Sequence, residues 1–262
     1  MKRTSLATAA AMAAGSMLLA PAAGRAQALQ IDASVTMRSD GGGVVQGDLN
    51  RRAVVEILAE ARGPALDSVA TFKPAAERSG AVASNAVLLY SSRHQVTLGN
   101  PEGDVTLVEF FDYNCGFCKR ALSDMLALLK DDPKLKIVLK ELPILGPGSV
   151  EAARVAVAVR MEDPSGQKYL SFHQQLLGGR GAVSKERALM AALDQGLNLA
   201  ALERDMASDE VHATIAENLK LARAVGIDGT PGYVVGNNLV LGAVGVTALK
   251  ASIAAARRQR MN

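Results

Sequence analysis

Only two of the 262 residues are cysteine, three are histidine and nine are aromatic. Each shortage excludes something. Two cysteines separated by two residues, Cys115 and Cys118, cannot cross-link distant parts of a fold, so the pair is there for chemistry rather than for bracing. His94, His173 and His212 stand singly, and the nine methionines form no cluster, so no second half of a metal site is visible. No basic run is interleaved with aromatics, and no nucleic-acid partner is expected. Beyond residue 28 no apolar run is long enough to span a bilayer, and there is no internal repeat.

What the N-terminus does contain is an export pattern. Lys2-Arg3 is followed by an uncharged Ala/Leu/Met-rich run over 6–20 and by small residues at Ala26-Gln27-Ala28. The pattern predicts a cleaved signal peptide over 1–28, a soluble mature chain starting near Leu29, and the periplasm as destination. Cleavage would remove Lys2, Arg3 and Arg25 and no acid, so 29 basic residues become 26 against 26 acidic ones. The mature chain is then formally neutral, and the roughly 234 residues left suffice for a substantial core without staples.

Residues 29–47 are polar and Gly-rich and read as a flexible leader. Residues 48–62 carry Val54, Ile57, Leu58 and Ala61 at helical spacing, stopped at Gly63-Pro64, and a second helix is expected over 75–90 with Val82, Ala83, Ala86 and Leu89 on one side. These make an N-terminal helical arm within 29–93, ahead of a domain over 94–262. A short strand over 95–98 and a Gly99-Asn100-Pro101 turn lead to the apolar run 105–111, a buried central strand. A helix over 117–130 with Leu122, Met125, Leu126 and Leu129 follows the cysteines, and then a strand over 135–142. Strand, Cys-x-x-Cys, helix, strand is a β-α-β unit. Helices are expected over 149–161, 169–177, 184–195 and 208–225. Then come strands over 233–235 and 239–241 joined through Gly236-Asn237, and a last helix from Val246.

Cys115 sits where a strand ends and a helix begins, so its sulfur faces backbone N–H groups and the positive end of the helix dipole. A helix N-terminus favours the thiolate, the attacking species in disulfide exchange, and Cys118 one turn inward can resolve a mixed disulfide. Half a zinc site and a plain structural disulfide are the competing readings. The first lacks ligands, and the second would close too small a loop to add much stability. Glu109 interrupts the central apolar strand six residues before Cys115, where a carboxyl group is costly without a role or a partner. It is either part of the chemistry or an edge-strand side chain that faces water or pairs with Lys140. Phe117 and Tyr113 flank the sulfurs and serve either substrate contact or packing.

The stretch Val108-Glu109-Phe110-Phe111-Asp112-Tyr113-Asn114-Cys115-Gly116-Phe117-Cys118-Lys119-Arg120 resembles the active-site segment of the DsbA-like branch of the thioredoxin superfamily. Glu141-Leu142-Pro143-Ile144-Leu145-Gly146 and Gly229-Thr230-Pro231 fall where that branch has its second strand and its cis-proline loop, with a helical insertion at about 146–226 between them. The helical arm and the Gly-Asn-Pro entry are most similar to periplasmic members related to Com1 and ScsC. The resemblance implies an α/β, thioredoxin-like fold and thiol–disulfide oxidoreductase activity without a cofactor. It also implies that Cys115 is the nucleophile, Cys118 the resolving thiol and Glu109 a buried proton relay, and that Pro231 is cis with the Thr230 backbone pairing to substrate. Sequence alone says only that Thr-Pro-Gly makes a turn.

Gly116-Phe117 between the cysteines and Thr230 before the proline lean towards isomerase or reductase work. Pro-His and Val, typical of the strong oxidases of the branch, are absent. An oxidase of the DsbA type and a soft-metal (copper) binding envelope protein stay open as alternatives. An inert interaction module is disfavoured because both cysteines are kept. The expected partners are unfolded or misoxidised exported proteins, a membrane redox partner of DsbB-like or DsbD-like kind, and further copies of the chain through the N-terminal arm. Pro64 and Pro74 break any long stalk there, and packing of the arm on its own catalytic domain is the alternative to association of copies.

Overall fold

The structure, a computed structural model, describes residues 75–261. The signal peptide, the leader and the helix over 48–62 lie outside the described residues. The elements run α1 (Ala75–Ser84), α2 (Ala86–Tyr90), β1 (Val96–Gly99), β2 (Val105–Phe111), α3 (Gly116–Asp131), β3 (Leu135–Glu141) and α4 (Pro147–Glu162). They continue with α5 (Gln167–Gly178), α6 (Lys185–Asp194), α7 (Leu199–Met206), α8 (Asp209–Val225), β4 (Gly232–Val235), β5 (Asn238–Leu241) and α9 (Val246–Met261).

The five strands form one mixed sheet in the order β1-β3-β2-β4-β5, with β2 and β3 parallel and every other pair antiparallel. β2 and β3 are buried along both faces because both faces are covered. On one face Leu107, Phe111, Ile137 and Tyr233 meet Cys118, Met125 and Leu128 of α3 and Leu249 and Ile253 of α9. On the other, Val108, Phe110, Val138 and Val234 meet α8, through Val211, Ile215, Leu219 and Ala222. This is a thioredoxin-like fold with helices α4–α8 inserted between β3 and β4.

The register places the site. β2 runs into the Cys115 turn, and β4 runs antiparallel to it with Gly232 opposite Phe110, so Pro231 enters the sheet beside the end of β2. A Cβ on Gly232 would stand 2.7 Å from Ile227 Cγ2, so this close approach of the proline loop to the end of α8 demands glycine.

Three local expectations are revised. The helix over 75–90 is broken at Asn85, whose side-chain amide donates to the Ala81 carbonyl at 2.8 Å, competing with the helical ladder; Ala83 is exposed. The buried stripe of α3 is Cys118, Ala121, Met125 and Leu128; of the expected Leu122, Met125, Leu126 and Leu129 only Met125 is on it, and the three leucines are partly buried. Turning Cys118 onto the sheet sets that stripe. Between β3 and β4 the helices given bounds from the sequence are joined by a further one, α7, started by Asn198, whose side chain accepts from the Ala201 amide.

The part of the expected arm that is described, α1 and α2, joins the core. Val82 and Leu89 are fully buried in the cluster of Val108, Phe110 and Val138. Lys136 Nζ donates to the Tyr90 carbonyl at 2.9 Å, and the Tyr90 hydroxyl donates to the Gly236 carbonyl at 2.5 Å. Leu89→Ala is therefore expected to lower the unfolding free energy by about 2–5 kcal/mol. A urea titration of both proteins checks this, and equal midpoints would mean that α2 lies outside the cooperative core.

Candidate functional site

Cys115 is the N-cap of α3, with extended backbone, and Cys118 lies in the first turn. The Cys115 amide donates to the Asp112 carbonyl at 3.0 Å and its carbonyl accepts from the Lys119 amide at 3.1 Å. Both sulfurs are free thiols, Cys115 6% exposed and Cys118 fully buried. Cys115 Sγ donates to the Thr230 carbonyl oxygen at 3.1 Å. The Thr230–Pro231 peptide is cis. Burial pushes the Cys118 thiol far up, against the lowering influence of the Asp112 backbone and the Thr230 side chain.

Glu109 lies on β2, a central strand, 3% exposed. Burial, and then the charge of Asp124, push its carboxyl up to about 8. An edge-strand pair with Lys140 is excluded by the pleat. Lys140 stands opposite Phe110, so the side chains of Glu109 and Lys140 leave opposite faces of the sheet. Lys140 instead faces Glu217 at 3.9 Å, with no hydrogen bond to its ammonium and burial pushing it down to about 8. Glu109 faces the Cys118 side, and its charge is one of the causes that raise the Cys118 thiol. Cys115, Cys118, Glu109, Thr230 and Pro231 therefore gather at one end of the sheet.

Two functional groupings escaped the sequence. The buried Asp112 carboxylate accepts from the Asn114 amide (2.8 Å) and the Ser149 hydroxyl (2.7 Å) at one oxygen, and from the Ile144 and Leu145 amides (both 3.0 Å) at the other. It joins the Cys115 turn to the exit of β3 and to the start of α4. The second grouping is a buried polar chain: the Tyr113 hydroxyl contacts His173 Nδ1 at 3.2 Å and the Tyr169 hydroxyl at 3.3 Å. The Tyr169 hydroxyl donates to Glu141 Oε1 at 2.6 Å. Burial drives His173 down to about 3, so it is neutral, and drives the Glu141 carboxyl up. The only trace in sequence is the density of polar residues in Asp112-Tyr113-Asn114. Tyr113 is thus packing and network, while Phe117 is 57% exposed beside the sulfurs, with the Arg120 guanidinium 4.3 Å from its ring centre. Among the described residues no group of three or more His, Cys, Asp or Glu is arranged to hold a metal ion.

A Cys-x-x-Cys pair opening a helix, beside a cis-proline that enters the neighbouring strand, on a sheet of this order, defines a thioredoxin-fold dithiol protein. Comparison with known proteins narrows the class. The DsbA-like thioredoxin domain model matches residues 106–254, and the chain belongs to that family. A thioredoxin-like oxidoreductase from Silicibacter pomeroyi is 42% identical, with 66% of this chain and 98% of that one covered and a TM-score of 0.63. The catalytic domain of Proteus mirabilis ScsC is 27% identical (69% and 98% covered, TM-score 0.62). The thiol–disulfide exchange protein α-DsbA2 of Wolbachia pipientis is also 27% identical (69% and 96% covered, TM-score 0.64). Among curated proteins, the Na(+)/H(+) antiporter NhaA of Herminiimonas arsenicoxydans is 26% identical over 220 residues, 80% of this chain. The chain spans about a third of that relative, 34% of its length.

The raised Glu109 carboxyl makes stability depend on pH. In the unfolded chain it ionises near its ordinary 4.5 and in the folded protein near 8, so its contribution is fully present below pH 4.5 and is lost as pH rises through 8. Glu109→Gln cannot ionise. Its stability relative to the parent is expected to rise by on the order of a few kcal/mol between pH 4.5 and 8. Paired urea titrations at the two ends of that range test this; a pH-independent difference would show that Glu109 ionises normally in the fold.

Proposed function

We propose that this protein is a periplasmic thiol–disulfide oxidoreductase acting on exported proteins through Cys115 and Cys118, with a lean towards isomerase or reductase work. The observation that carries the reading is the Cys115 thiol held at 3.1 Å from the Thr230 carbonyl beside cis-Pro231, with Cys118 buried behind it. The family and the exchange activity in the name of the Wolbachia relative support it. The export pattern over 1–28 supports the periplasm.

In the reducing direction the Cys115 thiolate attacks one sulfur of a substrate disulfide. A Cys115–substrate disulfide forms and the other substrate sulfur leaves as a thiolate. Cys118, deprotonated by the Glu109 carboxylate, then attacks Cys115 Sγ, which forms the Cys115–Cys118 disulfide and releases the second substrate thiolate. Oxidation of substrate is the reverse, and isomerisation returns the substrate sulfur to a new partner before Cys118 acts. The Glu109 carboxyl at about 8 can take or return a proton near neutral pH, which a carboxylate at its ordinary value cannot do efficiently. The Thr230 backbone pairs with the substrate chain as an added strand, and exposed Phe117 gives it apolar contact.

The lean away from oxidation rests on Gly116-Phe117 and Thr230. A membrane reductant of DsbD-like kind would then recycle the pair, and one of DsbB-like kind would serve an oxidase. Association of copies through the N-terminal segment would place several dithiols around one substrate.

Equilibration with glutathione followed by thiol alkylation and mass measurement gives the Cys115/Cys118 potential. About −180 mV or below supports isomerase or reductase work, about −120 mV an oxidase, and a pair that binds copper without forming a disulfide rejects the reading. Cys118→Ser is expected to accumulate mixed disulfides at Cys115. Glu109→Gln is expected to slow turnover about 10- to 100-fold at pH 7 with the fold intact. Unchanged kinetics would remove Glu109 from the mechanism.

A further inference from the structure

Next to the dithiol, the loop after α5 reads Gly178-Gly179-Arg180-Gly181-Ala182 and is wrapped around two cations. Lys119 Nζ, from the residue that follows Cys118, donates to the Gly179 carbonyl at 3.2 Å and to the Gly181 carbonyl at 2.6 Å. Arg187 Nη1 donates to the Arg180 and Ala182 carbonyls. A Cβ on Gly179 would collide with Arg187 Nη2, so the guanidinium lies directly against the glycine backbone. The loop is fixed to the dithiol segment. Asn114, the residue before Cys115, accepts from the Val183 amide at 2.7 Å and donates to the Val183 carbonyl at 3.0 Å.

The two cations are thus held on one loop, half-buried, with Lys119 directly following Cys118 in the chain. Among the described residues no carboxylate pairs with either, and the charge acting on Lys119 is the like charge of Arg187, which together with burial lowers the ammonium below the usual lysine range. Donors are left over. Lys119 uses two of its three protons, and Arg187 Nε and Nη2 have no acceptor among the described residues. Neutral carbonyls hold such a pair in place without cancelling its charge, and a planar fork of free N–H groups beside an ammonium matches a carboxylate.

We propose that Lys119 and Arg187, mounted on the 179–182 loop, form a subsite for an Asp or Glu side chain of the substrate polypeptide, close to the cysteine that Cys115 attacks. The subsite rests on the thiol–disulfide reading above. It selects, among exported disulfide substrates, those with an acidic residue a few positions from the reacting cysteine.

The test uses the full chain and synthetic peptide disulfides that differ only in one residue near the cysteine, Asp or Glu against Gln against Lys. Exchange rates are measured at about 20 mM and about 500 mM salt, with dithiothreitol as a chargeless reference. Acidic peptides are expected to react about tenfold faster than the Gln peptide at low salt, a gap that shrinks several-fold at high salt. Arg187→Gln and Lys119→Gln are expected to bring the acidic-to-neutral ratio within about twofold. Equal rates across the peptide series with the unaltered protein, while dithiothreitol exchanges normally, overturn the subsite alone. Failure to exchange with dithiothreitol as well overturns the oxidoreductase reading, and the subsite with it.

Discussion

The buried carboxylate of Asp112 is the point on which the site depends. Three residues before Cys115 the chain leaves β2, and nothing in a strand-to-helix turn by itself fixes where the sulfur points. Asp112 fixes it by taking four donors from three parts of the chain: the turn itself, the loop leaving β3, and the hydroxyl of Ser149 at the start of α4. Its own backbone carbonyl receives the Cys115 amide. Burial works against the charge, and even four donors leave the carboxyl above its ordinary value. A group held at such a cost in desolvation makes geometry rather than stability its main contribution.

The pleat of β2 and β3 separates two further ionisable systems that sit on adjacent strands. Glu109 looks towards Cys118 and α3; Lys140, on the other face, looks towards Glu217 of α8. Each is displaced from its ordinary protonation range by burial, in opposite directions to nearly the same value, about 8. The sheet lies between them, so the Glu109 carboxyl is not neutralised by Lys140.

Much of this was legible before any coordinates. The apolar run before Cys115, the periodic helix after it and the next strand specify a β-α-β unit because strand and helix periods carry that information locally, while the thioredoxin-like fold came from the resemblance of the Cys115 segment and Gly229-Thr230-Pro231 to the DsbA-like branch. Glu109 stood out as a carboxyl in an apolar strand. Its exclusion from pairing with Lys140 needed the register, because only pairing tells which face a residue takes. Asn85 broke a helix that hydrophobic spacing made continuous, since a side chain competing for a carbonyl leaves no periodic trace. Asp112, Tyr113, Tyr169 and His173 escaped notice as a system because their partners are 28 to 60 residues away. Polar residues near a motif look alike whether they face water or one another.

Helix α4 has a consequence of a different kind. Val150, Ala153 and Val157 belong to the core on one side of the sheet, while Ala152, Val155, Ala156, Ala158 and Val159 belong to the core shared with α5, α6 and α7. A helix apolar all round acts as a common wall, and neither room can be emptied while the other stays furnished. The inserted helices and the sheet should then open together or not at all, leaving only the loops at the rim free to move on their own. Adaptability is then confined to the rim, and the frame stays rigid.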